Sequence, residues 1–184
     1  ISDGSCFHPT LPEYRYAAFA AVLDCADSDA TRCLQVKTYQ DTGDMPQTLK
    51  VFTMGRLPGL QDILRAELFA IVVLVERYCH TNIYSDSSTT LRLLQHVASA
   101  TDAVELATAP HYDLLLRLWK VWHLGTRCFH KIKAHVDNLN GLAPLQVYHH
   151  LGNKLANDSA IHTCVNLLPG VVATLEEACQ NQLD

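Results

Sequence analysis

Alternation of apolar and polar side chains predicts short strands in the first third of the chain. The first strand contains Asp3, residues 14–23 form an apolar segment, and residues 48–54 alternate with period two, which is typical of a half-buried strand. The polar segment 24–47 separates the last two, and an alternating stretch at 33–39 predicts an extra strand inside it. We therefore expect an antiparallel group of strands that carries an insertion.

Helical spacing of apolar side chains follows, and residues 60–79 give the strongest helix signal in the chain. Their apolar positions recur at steps of three and four residues: Leu64, Leu68, Ile71, Val72 and Val75. The same reasoning predicts a strand over 82–85, a helix over 87–97, a loop over 98–110, a helix over 111–124, a strand over 127–135, a helix over 144–161 and a final helix that includes 176–177. Trp119 and Trp122 have helical spacing, which favours core positions over platforms for stacked bases.

The order of these elements, β-β-β-α-β-α-α-β-α-α, predicts an α/β fold with one mixed five-stranded sheet flanked by helices. Three antiparallel strands come first, and βαβ crossovers then add parallel strands. The expected organisation is one domain over residues 1–161, with an insertion at about 24–47, followed by a C-terminal helical extension over 162–184.

The composition is that of an ordinary globular protein, and it narrows the classes of partner. Of the 184 residues, 48% are hydrophobic and 18% are charged, and the net charge of −5 predicts no broad attraction to nucleic acid or to a membrane. The longest apolar run, residues 68–75, is too short to span a bilayer, and no signal peptide is visible. The cysteines form no C-x-x-C pair and no zinc-site spacing, so we expect reduced thiols in an intracellular protein, at positions 6, 25, 33, 79, 128, 164 and 179.

Four acidic or amide positions lie where one site can form at the strand ends. Asp3 is in the first strand, Glu67 in the long helix and Asp86 at the end of the fourth strand, and the segment 152–160 offers the last position. A helix packed on the sheet can direct one carboxylate toward the strand ends, so the four positions are able to converge. Taken singly, each has an ordinary structural explanation, such as a turn Asp, a solvated Glu or an N-cap Asp.

Five short motifs occur in a fixed order along the chain: S-D-G-S at 2–5, R-A-E-L at 65–68, S-D-S at 85–87, K-A-H at 133–135 and G-N-x-x-A at 152–156. On these motifs, residues 1–160 resemble a ribonuclease H domain of the kind fused to reverse transcriptases in LINE-type retroelements. The resemblance implies a ribonuclease H-like fold and cleavage of the RNA strand of RNA–DNA hybrids.

Metal-ion catalysis also follows from the resemblance. It implies that Asp3, Glu67 and Asp86 are metal ligands and that His135 is the histidine that assists the attacking water or product departure. Two Mg²⁺ ions are implied, with Mn²⁺ as a substitute, because hard divalent cations take carboxylate oxygens.

The fourth ligand position departs from the family pattern. That pattern places an Asp four residues after Asn153, where this chain has Asn157, and Asp158 is the next residue. An Asn offers a ligand oxygen without a negative charge. Compared with an Asp at this position, it should lower the affinity for metal while leaving the geometry of the site largely unchanged. Three explanations remain open: an engineered replacement, a natural weakening of the site, or a helix register in which Asp158 turns inward.

Substrate contacts implied by the resemblance lie at Gly4, Ser5, Gln61, Arg65 and Ser87. Residues 98–110, where many relatives carry a basic segment, contain no Lys or Arg but include Asp102 and Glu105. We therefore expect weak, strongly salt-dependent binding of hybrid. If the domain is tethered to a polymerase, a high effective concentration of hybrid would compensate for its low affinity.

The sequence thus predicts a Mg²⁺-dependent endoribonuclease that cleaves the RNA strand of RNA–DNA hybrids during reverse transcription. We expect a monomeric domain with no membrane association, located in the cytoplasm or nucleus and joined to the reverse transcriptase domain of the same polyprotein. The short stretch before Asp3 and the absence of an initial Met agree with a domain cut from a longer chain. The alternative is a catalytically weakened or inactive ribonuclease H-like module that scaffolds a polymerase or contacts nucleic acid.

Overall fold

The computed structural model describes residues 1–7, 16–133 and 138–166, which form an α/β fold. Its strands are β1 (Ser2–Phe7), β2 (Tyr16–Asp24), β3 (Leu49–Arg56), β4 (Thr81–Ser85) and β5 (Arg127–Lys131). Its α-helices are α1 (Asp29–Thr42), α2 (Ile63–Arg77), α3 (Ser88–Ser99), α4 (Tyr112–Trp122) and α5 (Pro144–Asn166), and a 3₁₀ turn covers Ala103–Leu106. The fold class predicted from the sequence is confirmed.

Hydrogen bonds among the described residues divide the strands into two sheets. β1, β2 and β3 form an antiparallel sheet in that order, and β4 pairs with β5 in parallel. The predicted order of antiparallel strands first and parallel strands afterwards is confirmed. The prediction of one continuous five-stranded sheet was wrong here, because no ladder joins β1 to its neighbour β4. Packing rather than main-chain hydrogen bonding therefore holds the two sheets together.

Alternate residues of β2 face helices on opposite sides of the antiparallel sheet. Ala17 and Phe19 pack with Ala66 of α2, whereas Ala18 packs with Cys164 of α5. This is the two-residue period of a strand. The alanines are fully buried, and such small side chains let both helices approach the sheet closely.

A second core joins α2, α3 and α4 on one side of the parallel pair. Trp122 is only 6% exposed within this core, and the half-buried Trp119 packs against it while its indole N–H donates to Ala100 O at 3.1 Å. The prediction that both tryptophans are core residues is confirmed. None of the described helices combines the length and the hydropathy of a membrane span.

The insertion at 24–47 contains a helix, so the strand predicted at 33–39 was wrong. Ser28 caps the start of α1 by accepting a hydrogen bond from Thr31 N at 3.2 Å, and Gly43 ends it in the left-handed conformation, with φ of 79°. Val36 is the buried residue of α1, while Leu34 is 62% exposed. The two caps and the buried Val36 therefore favour a helix here, although the alternating pattern predicts a strand.

The other element boundaries differ from expectation by a few residues. Asp62 caps α2 by accepting from Arg65 N at 3.1 Å, so this helix begins at Ile63 rather than at residue 60. β5 ends at Lys131, and residues 134–137 lie outside the described residues. α5 runs without a break to Asn166, past the expected end at 161, and the expected final helix also lies outside the described part.

Candidate functional site

Three carboxylates approach one another where β1, α2 and the end of β4 meet. Asp3 lies in β1 opposite Ala20 of β2, Glu67 lies in the second turn of α2, and Asp86 directly follows β4. Asp3 is only 8% exposed, and its carboxylate accepts a hydrogen bond from Gly4 N at 2.7 Å. The structure thus brings together the three acidic residues that the sequence singled out.

The close approach of β1 to α2 depends on Gly4. A Cβ atom at this position would lie 2.7 Å from Glu67 N and 2.8 Å from Ala66 Cβ, which is closer than real Cβ contacts allow. The missing side chain therefore places the backbone of β1 directly against α2. As a consequence, Asp3 and Glu67 are held near each other by main-chain packing.

Hydroxyl groups at the start of α3 hold Glu67. Thr90 is fully buried, and its Oγ1 donates to Glu67 Oε2 at 2.5 Å. Ser87, the N-cap of α3, also bonds the Glu67 carboxylate and accepts from Thr90 N at 3.3 Å. Ser87 was predicted to contact substrate, and in this structure its hydroxyl serves the helix cap and Glu67.

Asp86 is fixed from two sides. The buried Asn153 of α5 donates its Nδ2 hydrogen to Asp86 Oδ2 at 3.0 Å. Lys131, at the end of β5, donates to the main-chain carbonyl of Asp86 and, at 2.8 Å, to Ser88 Oγ. α5 and β5 therefore both position the residue that follows β4.

Burial and mutual repulsion dominate the electrostatics of the three carboxylates. Burial raises the pKa of Asp3 to about 7, the negative charges of Asp86 and Glu67 add to this effect, and the hydrogen bond from Gly4 N opposes it. Burial also raises the pKa of Glu67, against the effect of its bonds from Ser87 and Thr90. The site consequently holds negative charge at a free-energy cost that a bound cation would offset.

The donor set fits a hard divalent cation, although its side chains are not gathered around one point. Within the described residues, no group of three His, Cys, Asp or Glu side chains is arranged to hold a metal ion. Thr90 and Asn153 each bond one oxygen of the carboxylates of Glu67 and Asp86. Asn153 Oδ1 is buried and has no hydrogen-bond partner among the residues described. Carboxylate and amide oxygens are nevertheless the kind of ligand that Mg²⁺ prefers.

The two candidates for the fourth ligand lie on different sides of α5. Asn157 is half-buried and follows Asn153 by four residues, so both lie on the helix face that contacts Asp86. Asp158 is 54% exposed at its side chain and accepts from Lys154 Nζ at 2.6 Å. In this structure the Asp158 carboxylate therefore faces solvent.

Two of the predicted substrate contacts are engaged within the protein. The side chain of Gln61 accepts from Ala17 N at 2.9 Å and donates to Leu57 O at 2.9 Å, which ties the start of α2 to the sheet. Arg65 makes a two-pronged bond with Asp113 of α4, at 2.7 and 2.5 Å. The structure gives both side chains a fold-stabilising role.

The remaining predicted site residues are Ser5 and His135. Ser5 is half-buried in β1 opposite Ala18. His135 lies outside the described residues.

The sequence did not assign a role to Thr90 or to Asn153, which hold Glu67 and Asp86. Asn153 was visible as the Asn of the G-N motif, and its four-residue spacing from Asn157 placed it on the same helix face. No sequence signal pointed to Thr90, because a Thr in the first turn of a helix is common.

Comparison with known proteins identifies no relative: no protein-family model matches the chain, and no curated protein matches its sequence.

Proposed function

We propose that this chain is a metal-dependent endoribonuclease of the ribonuclease H type, which cleaves the RNA strand of RNA–DNA hybrids. The observation that carries this proposal is the approach of Asp3, Glu67 and Asp86 where β1 packs against α2 and the end of β4 meets α5. The element order also supports it, with antiparallel strands first, then a helix, and then a parallel pair. So do the five motifs shared with that family.

Asp3, Glu67 and Asp86 would hold Mg²⁺, or Mn²⁺ in its place. When bound to such carboxylates, a pair of divalent ions activates water for attack on a phosphodiester and stabilises the leaving oxygen. The protein's own part is orientation: Thr90 holds the Glu67 carboxylate and Asn153 holds that of Asp86. Asp3 is buried enough to exclude most water from its carboxylate.

Recognition of the RNA strand would rest on its 2′-hydroxyl groups, which distinguish RNA from DNA. Because Gln61 and Arg65 are engaged within the fold and Gly4 is packed against α2, the half-buried Ser5 is the better candidate for this contact. We propose that the domain acts intracellularly while joined to a reverse transcriptase domain, whose own grip on the hybrid supplies effective concentration.

A second candidate function is that of an inactive ribonuclease H-like module that supports a polymerase. Two observations favour it. Asn157, on the face of α5 that contacts Asp86, supplies no charge, and Arg65 is neutralised by Asp113.

Cleavage of a labelled RNA–DNA hybrid in Mg²⁺ or Mn²⁺ separates the two functions. We expect the unaltered chain to cleave the RNA strand and Asp3→Asn to abolish cleavage. Asn157→Asp should increase cleavage most at low Mg²⁺, because it restores a charge and mass action fills a weak site at high Mg²⁺. Asn82→Asp, at an exposed position on β4, is the matched control for the added charge and should have no effect.

Absence of cleavage in both metals, with and without Asn157→Asp, would leave the scaffold function as the explanation. Loss of activity in Asp158→Ala, with no response to Asn157→Asp, would show that the register of α5 differs from the one described.

A further inference from the structure

A surface groove runs between α3 and β5, next to the three carboxylates. It has a volume of about 450 Å³ and is lined by six residues from the two elements, which are Ser88, Leu91, Arg92, Gln95, Phe129 and Lys131. Four of them recur at three- and four-residue steps along one side of α3, as a helix lining a groove requires. The other two are alternate residues of β5 and so lie on one face of that strand.

The groove is basic in a chain whose net charge is negative. Neither α3 nor β5 contains a single Asp or Glu, although the whole chain carries −5. Arg92 is exposed and has no hydrogen-bond or ion-pair partner among the described residues. Several other arginines are neutralised by carboxylates, such as Arg32 by Asp24 and Arg117 by Glu76. The guanidinium of Arg92 is thus open to an anion, on a surface whose two elements carry no carboxylate of their own.

The floor of the groove is apolar. Leu91 and Phe129 are half-buried and pack against the core of α2, α3 and α4. An apolar floor with an amide at Gln95 and cations along its length suits the backbone of a nucleic-acid strand, whose phosphates take the cations and whose sugars cover the floor.

Lys131 connects the groove to the candidate site. Its ammonium group bonds the main-chain carbonyl of Asp86 and the Ser88 hydroxyl, so it stands at the boundary between the carboxylates and the groove. A phosphodiester positioned beside Asp86 would therefore have its neighbouring phosphates within the reach of a cationic surface.

We propose that the groove between α3 and β5 binds the phosphate backbone of one nucleic-acid strand as it leaves the carboxylate site, with Arg92 and Lys131 as its phosphate contacts. This inference rests on the proposed function, because the neighbouring site selects a nucleic acid over other polyanions. An acidic peptide would satisfy the cations but would leave the apolar floor without the sugars that cover it.

Salt-dependent binding tests the proposal without cleavage. Binding of a short fluorescein-labelled RNA–DNA hybrid by the full chain is followed by anisotropy in EDTA over a series of salt concentrations. Each lost phosphate contact should reduce the slope of log K against log salt by about 1. We expect this reduction for Arg92→Gln, with weaker binding at low salt.

Arg77→Gln is the matched control, because Arg77 is also an exposed helical arginine but is the last residue of α2 and does not line this groove. Its slope should equal that of the unaltered chain. Lys131→Gln should reduce the slope as Arg92→Gln does, and circular dichroism verifies that each variant is folded.

Equal slopes for Arg92→Gln and the unaltered chain would overturn the proposal, as would an absence of measurable hybrid binding at low salt. Competition gives a further test: if polyglutamate releases the labelled probe from the chain and unlabelled hybrid does not, the groove binds an acidic protein partner and the proposal is overturned. The cleavage assay is independent of this result. A reduced slope without any cleavage would leave the groove in place and refute the enzyme, whereas cleavage with equal slopes would refute the groove alone.

Discussion

Asp3 is the residue whose environment is most unusual for its type. It is only 8% exposed, and its carboxylate faces the charges of Asp86 and Glu67. Both conditions favour the protonated form, so its pKa rises to about 7. In the unfolded chain the same group has an ordinary pKa, near 3.8. Folding therefore takes up a proton at any pH between these two values.

Stability should consequently fall as the pH rises through this window. The folded state holds a proton that the unfolded state has lost, so the free energy of unfolding decreases by at most about 1.4 kcal/mol per pH unit for each such proton. Glu67, whose pKa is also raised, contributes with the same sign. Urea denaturation in EDTA at pH 5 and pH 8 measures the difference, which should be smaller in Asp3→Asn. An equal difference in that variant would show that Asp3 titrates normally.

At the scale of elements, the contact between β1 and α2 determines whether the site exists. Gly4 leaves no gap: a methyl group at this position would overlap the main chain of Glu67 and the side chain of Ala66. The antiparallel ladder with β2 prevents β1 from moving aside, because Asp3 and Ser5 are paired there on both sides of Gly4. The substitution must therefore displace α2 or break the ladder.

Gly4→Ala should lower the free energy of unfolding by about 1–3 kcal/mol, as overpacking of a close contact does. Gly55→Ala is the control, because the added methyl group would meet the Phe19 ring at 3.4 Å, an ordinary contact. That variant should be neutral or more stable by up to about 1 kcal/mol, since alanine restricts the unfolded chain. Chemical denaturation of both variants gives the comparison, and equal stability of the two would contradict the described approach of β1 to α2.

At the scale of the whole molecule, charge is distributed unevenly. The carboxylates at the ends of β1 and β4 lie next to the basic groove of α3 and β5, so opposite charges occupy adjacent surfaces of an acidic chain. The net charge alone predicts poor binding of polyanions. Locally, however, the cations of the groove could bind a polyanion beside the candidate catalytic residues.

Divalent cations should stabilise the folded chain if the carboxylates bind them. A ligand that binds only the folded state, at about 100 times its Kd, adds about 2.7 kcal/mol. We expect MgCl₂ to raise the thermal midpoint relative to NaCl of the same ionic strength, EDTA to reverse the effect, and Asp3→Asn to remove it. A rise of the same size in Asp3→Asn would place the bound cation elsewhere.

Much of this architecture was predictable from local patterns. Helical spacing located α2 and α4. The motif order singled out Asp3, Glu67 and Asp86, which lie near one another in the structure. Long-range partners were not predictable, because no local signal reveals that Arg65 is neutralised by Asp113.

The helix α1 shows a different kind of failure. The sequence contains both of its caps, Ser28 and Gly43, but the prediction of a strand rested on the alternation at 33–39 alone. The division into two sheets also had no local signal, since strand order in a sheet depends on contacts between distant segments.

The lack of a ladder between β1 and β4 has a mechanical consequence. Asp3 lies in the antiparallel sheet, whereas Asp86 directly follows β4 of the parallel pair, so their electrostatic repulsion acts across the seam between the two sheets, where the described residues form no ladder. The charge state of Asp3 therefore determines how strongly the two sides of the seam repel each other. Deprotonation of Asp3 increases the repulsion across the seam, and a bound cation would reduce it. Opening motions of the molecule would therefore begin at the seam.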